Sequence, residues 1–277
     1  MNFLKYLIIF LTITNGIAQE ETSLNKYTQN NKGKIFIYWG GNRGYFSDSD
    51  IHFKGENYDF ILHDVIADDR PKGWHIDYIN PVRMTIPQTN LRVGYFVTNR
   101  INVSLGIDHM KYVMRQNQVV NYTGEYPNRG SYNEDINPGQ VLLTEEFLTF
   151  EHTDGLNYVN TEVTYVHDFS KWVGIHNTDK VQLNFNVGLG GGVLYPKSNS
   201  KILGKQRYDN FHVSGYGIAT KAGLNFTFFK HFFIQTELKH GYINMPNIRT
   251  TVSSVDQAAQ DFTFLETVIA LGAIFRL

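Results

Sequence analysis

The chain has 277 residues, no cysteine and a formal net charge of −1. The near-neutral charge argues against a nucleic-acid partner, which usually needs a basic patch or stripe. The lack of cysteine excludes disulfide bonds, cysteine-bound metals, thiol catalysis and the lipid-bearing cysteine of a lipoprotein.

The first 18 residues are typical of a secretory signal peptide. Lys5 precedes the apolar residues 6–11, and the small residues Gly16 and Ala18 precede the predicted cleavage site. The apolar run is too short to span a bilayer as a helix, and no later stretch reaches about 18 uninterrupted apolar residues. We expect residues 19–33 to form a loose periplasmic lead-in to the folded domain.

The remaining residues, 34–277, contain eight stretches in which apolar and polar side chains alternate, as they do in β-strands. The connections between these stretches alternate between long and shorter ones. Bacterial outer-membrane barrels have short periplasmic turns and longer extracellular loops, so both ends of this domain would lie on the periplasmic side. The predicted strands are 34–46, 89–97, 101–114, 156–167, 181–195, 215–229, 232–243 and 262–277.

The polarity of the two strand faces favours a barrel in a membrane. Along residues 181–195, Val187 and Leu189 lie on an apolar face, whereas Asn186 and Gly188 lie on a polar face that is rich in glycine. A soluble sandwich or a lipocalin-like barrel would instead point its bulky apolar residues inward and would rarely place glycine on its outer face. The sequence therefore predicts an all-β fold, an eight-stranded antiparallel transmembrane β-barrel with long extracellular loops, in the cell outer membrane.

The last predicted strand, residues 262–277, resembles the C-terminal strand by which bacterial outer-membrane barrels are recognised for assembly. Its alternate apolar residues include Ile269, Leu271 and Phe275 and end on Leu277, where that family most often has Phe. The resemblance implies the barrel assembly machinery as a partner, bound through Phe275 and Leu277.

Charged residues on the polar faces would meet inside the barrel. Buried charges are tolerated when they are paired and hydrogen-bonded, and eight strands leave an interior only just wide enough for its own side chains. We therefore expect a charge network that fills the lumen, with Arg276 and also Arg92 solvated near the rim. The expected network is Arg92, Asp108, Glu162, Lys221, Glu237, Lys239 and Glu266, with Lys221, Glu237, Lys239 and Glu266 forming a ladder across three neighbouring strands.

Two other groups of residues have the chemistry of ligand sites but not the spacing. Residues 188–192 are rich in glycine, but a phosphate-binding loop needs a helix directly after it, and Pro196 follows instead. The first long loop has side chains able to bind a divalent cation, in a spacing that matches no metal motif. We expect no metal and no cofactor. The loop residues are His52, Asp59, His63, Asp64, Asp68, Asp69, His75 and Asp77.

One pair of residues suggests a hydrolase. His212 and Ser214 lie two residues apart, which resembles the pair used by lipid A deacylase barrels, and Glu237 is a possible orienting acid. However, Glu237 is expected in the lumen, whereas His212 and Ser214 are expected in or beside an extracellular loop. We therefore expect no enzymatic activity and keep a lipid A-modifying hydrolase as an alternative.

Two segments resemble a group of outer-membrane barrels common in Bacteroidota, related to the small OmpA-like and OmpW-like barrels. The first is Tyr38–Phe46 with its continuation through Ser49–Gly55, Tyr58–Phe60 and Ala67–Pro71, which is similar to the opening of those proteins. The second is Gly106–Met114, which is similar to their third strand. The group is described by architecture and not by an assigned activity, so the resemblance implies a fold and a location only.

The sequence leaves several functions open. We expect an integral outer-membrane protein with a structural, surface-interaction or small-solute role, monomeric and surrounded by outer-membrane lipid and lipopolysaccharide. Aromatic residues near the extracellular strand ends suggest an alternative, an OmpW-like carrier of small hydrophobic solutes. These residues are Tyr195, Tyr208, Phe211 and Tyr216.

Overall fold

The computed structural model of the chain describes residues 26–71, 73 and 88–276, so the predicted signal peptide, residues 1–18, lies outside the described residues. The described part contains two short 3-10 turns, Tyr27–Gln29 and Ser170–Val173, and is otherwise built of β-strands and loops. The first nine strands are β1 (Lys34–Phe46), β2 (Ser49–Lys54), β3 (Asp59–Val65), β4 (Ala67–Asp68), β5 (Thr89–Phe96), β6 (Ile101–Met110), β7 (Val113–Met114), β8 (Val119–Glu125) and β9 (Asp135–Asn137). The others are β10 (Gln140–Leu142), β11 (Leu148–Glu151), β12 (Leu156–Asp168), β13 (Val181–Leu194), β14 (Lys197–Ile202), β15 (Tyr208–Phe211), β16 (Gly215–Phe228), β17 (Phe232–Arg249) and β18 (Gln257–Arg276).

Eight long strands form a closed antiparallel ring. Their order around the ring is β1, β5, β6, β12, β13, β16, β17 and β18, and β18 pairs with β1 to complete it. The closing register runs without interruption from Lys34 opposite Arg276 to Phe46 opposite Phe264. The predicted eight-stranded antiparallel barrel is therefore confirmed, and six of its eight strands keep their predicted bounds to within a few residues.

The two faces of the ring have opposite polarity. Outward-facing side chains such as Leu189 and Ile269 are apolar and 65% and 63% exposed, respectively. Inward-facing side chains such as Asn184 and Asn186 are polar and buried. A closed barrel with an apolar exterior fits a bilayer, because every strand edge is paired and no backbone group faces hydrocarbon unbonded. The outer membrane of bacteria is where barrels of this kind reside, as the sequence predicted.

In the described part of the chain, no helix is long and apolar enough to cross a membrane.

The long extracellular segments, predicted as polar loops, are instead folded. Strands β2, β3, β8, β10 and β9 extend the barrel sheet beyond β18, and a second sheet has the order β15, β14, β11, β7, β4. We call this part the outer cap; it comprises residues 47–71, 111–155, 196–214 and 244–261. Its core is apolar and fully packed, with Phe53, Phe60, Phe147 and Phe150 among its largest buried side chains.

The hairpin of β17 and β18 links the barrel to the outer cap. With 18 and 20 residues, these strands exceed the roughly 9 to 11 that a tilted strand needs to cross a membrane. The prediction of a loop over residues 244–261 was therefore wrong for most of this segment. Met245, Ile248 and Ala258 lie in the paired extension of the two strands and are buried in the cap core.

At the opposite end, the described part of the lead-in is held against the barrel and is not loose. Thr28 is buried, and its backbone N–H and hydroxyl both donate to Asp179. Its carbonyl accepts a hydrogen bond from Gln182. Because Gln182 faces the interior, the turn Tyr27–Gln29 lies across the mouth of the barrel at this end, which the sequence predicts to be the periplasmic one.

Candidate functional site

All seven residues of the predicted lumen network are buried inside the barrel. Glu162 on β12 lies at the centre, because three cations from different strands bind its carboxylate. Its Oε1 lies 3.0 Å from Nη2 of Arg92 and 2.8 Å from Nζ of Lys239, and its Oε2 lies 2.7 Å from Nζ of Lys221. We call these seven side chains and their direct hydrogen-bond partners the charged layer.

Two further carboxylates complete the ion pairs. Asp108 lies 2.5 Å from Nζ of Lys239 and 3.5 Å from Nη2 of Arg92. Glu237 lies 2.7 Å from Nζ of Lys221. Lys239 therefore reaches across the lumen from β17 to β6 and β12. Of the predicted ladder, the pair of Lys221 and Glu237 is present, whereas the pair of Lys239 with Glu266 on β18 is not among the ion pairs of the described residues.

Glu266 differs from the other carboxylates of the charged layer. No basic side chain of the described residues lies within ion-pair distance of it. Its Oε1 accepts a hydrogen bond of 3.0 Å from Nδ2 of Asn90, while its Oε2 is buried without a hydrogen-bond partner. The predicted rim residue Arg276 lies outside the layer, where it donates to the carbonyls of Asn30 and Lys32. Arg92, also expected near the rim, is instead buried at the centre of the layer because it binds Glu162.

The charged layer is completed by neutral side chains that were not predicted from the sequence. Tyr38 donates to Glu237 and accepts from Nε of Arg92 at 3.1 Å. Asn160 accepts from Nη2 of Arg92 at 2.7 Å and donates to Asp108 at 2.9 Å. These residues satisfy hydrogen-bonding positions that ion pairs alone would leave open, which is the condition for burying charge at tolerable cost.

Interior glycines leave the space that the long charged side chains occupy. A Cβ atom at Gly106 would lie 2.8 Å from Cζ of Arg92, and one at Gly190 would lie 2.7 Å from Cγ of Glu162. The glycine-rich polar face seen in the sequence is therefore a packing requirement of the charged layer. The layer draws its charged side chains from six of the eight ring strands, β5, β6, β12, β16, β17 and β18.

A chain of amide side chains leads from the charged layer towards the outer cap. Asn90 accepts from Asn42, whose own Oδ1 accepts from Nε2 of Gln88. The same Nε2 donates to Asp69 in the first long loop at 2.5 Å. Burial raises the pKa of Asp69 above its ordinary value, against the opposing effect of hydrogen bonds from Gly44 and Gln88. These contacts join the charged layer to the first long loop.

The residues considered for hydrolysis do not form a catalytic group. The hydroxyl of Ser214 donates to the backbone carbonyl of His212 at 3.3 Å, and Glu237 is bound to Lys221 and Tyr38 in the charged layer. Burial, followed by the charge of Arg249, lowers the pKa of His212. Glu237, the possible orienting acid, is thus separated from His212 and Ser214, as the sequence predicted.

The polar residues of the first long loop form separate pairs. His52 lies 2.6 Å from Asp59, and His63 lies 2.9 Å from Asp50. Asp68 accepts two hydrogen bonds from Arg115, which lower its pKa. Among the described residues, no group of three or more potential metal ligands comes together. His75 and Asp77, also considered as ligands, lie outside the described residues.

A buried histidine lies in the core of the outer cap. His152 is fully buried, and its Nδ1 lies 2.7 Å from Oγ of Ser198. Burial lowers its pKa from 6.5 to about 3, so the imidazole is neutral in the folded cap. Its ring packs against Tyr112 and Phe150.

No family model and no curated protein matches the sequence. The structure is similar to that of Ail, the attachment invasion locus protein of Yersinia pestis, at 11% identity over 88% of this chain and 99% of that chain, with a TM-score of 0.32. It is also similar to the outer membrane protein OprG from Pseudomonas aeruginosa (11% identity, 90% and 99% of the chains, TM-score 0.40). A third similar structure is the outer membrane protease OmpT from Escherichia coli (10% identity, 87% and 96%, TM-score 0.38).

We expect Glu162→Gln to destabilise the barrel by about 3 to 5 kcal/mol, because it leaves three buried cations with only two carboxylates, Asp108 and Glu237, within ion-pair distance. Unfolding in urea, followed by the loss of heat-modifiable migration on a gel, measures the change. Val163→Ala on the lipid-facing side of the same strand is the matched control and should cost much less. Adding Lys221→Met to Glu162→Gln should recover part of the loss. A single variant as stable as the wild type would mean that the layer is solvated.

We expect the outer cap to lose stability as the pH falls below about 6.5. The unfolded chain binds a proton at His152 near that pH, whereas the folded cap binds it only near pH 3, so acid favours the unfolded form. The slope approaches about 1.4 kcal/mol per pH unit for one such group. Limited proteolysis of the cap at pH 7 and pH 5 measures the effect, and His152→Asn should reduce the difference. An equal difference in this variant would contradict the assignment.

Proposed function

We propose that this protein is an integral outer-membrane barrel whose closed lumen anchors a folded outer cap at the cell surface, in a structural or surface-interaction role. The observation that carries the proposal is the combination of a sealed interior with an independent apolar core above it. The seal is centred on Glu162, and the cap core is centred on Phe60, Phe147 and Phe150.

A filled lumen favours this role over diffusion through the barrel. An open pore needs a water-filled path, and the interior side chains of an eight-stranded barrel already fill most of its width. Here Arg92 and Lys239 are both 1% exposed at the height of Glu162. A solute could pass only by breaking several ion pairs at once.

The geometry gives less support to the alternative, a carrier of small hydrophobic solutes. Such a carrier needs an apolar cavity open to the membrane or to the cell surface. The rings of Tyr195 and Phe211 stack on each other at 5.3 Å and are 42% and 43% exposed. They face outwards and line no interior cavity. At the same height the interior is occupied by packed residues such as Tyr158 and Phe264.

We also propose that the protein has no enzymatic activity, since His212, Ser214 and Glu237 lie in unrelated contacts. The apolar belt supports outer-membrane lipid and lipopolysaccharide as surroundings. A ring that closes within one chain supports a monomer. A place among the Bacteroidota barrels, and recognition by the assembly machinery through Phe275 and Leu277, stay predictions; Leu277 lies outside the described residues.

Single-cysteine variants test which side of the membrane the cap occupies, because the natural chain has no cysteine. We expect Val252→Cys, at an 83% exposed position of the cap, to react with a membrane-impermeant maleimide on intact cells. Trp172→Cys, at the short-turn end, should react only after the outer membrane is permeabilised. Val163→Cys, which faces lipid, is the control for unspecific reaction. The opposite pattern of reactivity would overturn the proposal.

Recordings in planar bilayers test the sealed lumen. We expect purified, folded protein to give a conductance indistinguishable from that of the bare bilayer, because the charged layer blocks the passage of ions. A porin inserted under the same conditions serves as the positive control. Reproducible single-channel steps from the wild-type chain would mean that ions cross the layer, and a small-solute role would then replace the anchoring role.

A further inference from the structure

The periplasmic mouth of the barrel contains a buried cation without a counter-ion. Lys34, at the start of β1, is 1% exposed. Its Nζ donates to the carbonyl of Tyr27 at 2.7 Å and to Oδ1 of Asn31 at 2.9 Å, and it lies 3.8 Å from the centre of the Tyr27 ring. All of these partners are neutral. No carboxylate of the described residues lies within ion-pair distance of Lys34, although a buried charge is costly unless it is paired.

Lys34 lines a small interior cavity of about 50 Å³ below the charged layer. Lys221 and Lys230 also line this cavity, and its wall contains no Asp or Glu. Lys221 is ion-paired with Glu162 and Glu237, and Lys230 is ion-paired with Asp179; these carboxylates lie outside the wall. Among the described residues, Lys34 is therefore the one cation of this wall without an ion pair.

The wall of this cavity also has polar atoms with no partner in the protein. Oδ1 of Asn102, Oγ1 of Thr164 and Oδ1 of Asn186 are buried without a hydrogen bond. The three residues are each at least 95% buried. The Thr164 hydroxyl can donate, and a half-turn of the Asn102 amide presents an N–H group to the cavity in place of its oxygen, whereas the Asn186 amide is held by its donation to Gln235. Unsatisfied buried groups of this kind call for a guest that forms hydrogen bonds.

A second cavity, of about 310 Å³, opens at the mouth beside the first. The two cavities share Thr28, Asn31, Gln182 and Asn184 in their walls. The outer cavity adds the side chains of Arg100, Lys171, His167 and Trp172. Arg100 and Lys171 have no ion pair with any described residue.

The one acid in the wall of the outer cavity is already engaged. Asp168 accepts a hydrogen bond from the backbone N–H of Ser170 and another from Gln182, both at 2.9 Å. Two cations without ion pairs therefore face a wall in which the single carboxylate is bound to neutral donors.

The whole rim around the cavities carries excess positive charge. Within residues 26–34, 98–101, 167–181, 229–231 and 276 there are eight Lys or Arg residues and two acids, Asp168 and Asp179. The basic residues are Lys26, Lys32, Lys34, Arg100, Lys171, Lys180, Lys230 and Arg276. The chain as a whole is nearly neutral, so this end of the barrel is a concentrated basic surface.

We propose that the periplasmic mouth is a binding site for phosphate-bearing anions, with the Lys34 ammonium as its buried cation and Arg100 and Lys171 at its entrance. A phosphate group offers several strong acceptors to ammonium, guanidinium and amide donors at once. The outer cavity has room for a phosphate ester, and the unpartnered groups of the inner cavity lie next to it. The source of the phosphate is either a free periplasmic compound or the headgroup of an anionic phospholipid in the inner leaflet.

The proposed site depends on the proposed function only for the side of the membrane that it faces. Binding is measured on the whole purified protein in neutral detergent, so the result does not depend on that orientation. Calorimetry with inorganic phosphate tests the free anion. Native mass spectrometry with phosphatidylglycerol, and with phosphatidylcholine as the neutral lipid, tests the headgroup. Heat-modifiable migration on a gel shows that each variant is folded.

We expect Lys34→Met to weaken binding of the preferred probe at least tenfold, because the buried charge is lost. Lys34→Arg should retain binding within a few-fold. Lys180→Met, which removes one rim charge outside both cavities, should change it less than twofold. If Lys34→Met does not fold, Arg100→Ser combined with Lys171→Met, both at the exposed entrance, should weaken binding by a similar factor.

Each outcome decides between the sources or overturns the site. Phosphate binding that is lost in Lys34→Met supports a free anion. Retention of phosphatidylglycerol over phosphatidylcholine that is lost in the same variant, without measurable phosphate binding, supports the headgroup. Binding of neither probe, or equal binding by the wild type, Lys34→Met and the entrance variant, overturns the proposal.

Discussion

Closure of the ring between β1 and β18 is the constraint on which the rest of the structure depends. In hydrocarbon an unpaired strand edge leaves backbone groups without partners, at several kcal/mol each. Closure with only eight strands fixes a narrow interior, which the side chains of the strands themselves must fill. The charged layer is the consequence: long polar side chains fit this interior only where glycines such as Gly106 and Gly190 make room for them.

The charged layer satisfies its charges by distribution among several partners. Glu162 binds three cations. Arg92 binds the carboxylates of Asp108 and Glu162 and also forms hydrogen bonds with Tyr38 and Asn160. Because each charge has several partners from different strands, the layer couples the strands to one another across the lumen. Glu266 is the exception: it is bound by the neutral Asn90, so the layer contains one more carboxylate than its three cations can neutralise.

Much of the barrel could be predicted from the sequence, because strand alternation is local. The inward direction of Glu162 and Lys239 follows from counting every second residue. The ion-pair partners of Lys239 could not be predicted in this way, because they depend on which strands face each other across the lumen. The outer cap was missed for a related reason. Ile61 pairs with Thr123 and Leu148 with Ile202, far apart in the chain, in strands too short to show a clear period. The burial of Lys34 could not be predicted either, because it depends on the lead-in folding back over the mouth of the barrel.

The two ends of the barrel are built differently. At the cap end, the amide chain from Asn90 to Asp69 and the apolar core of the outer cap occupy the interior. At the periplasmic end, polar cavities reach inward as far as Lys221, and the surrounding rim is basic. The charged layer lies between the two ends of the barrel. The barrel therefore has two independent faces, and substitutions at Lys34 and in the cap core are expected to act separately.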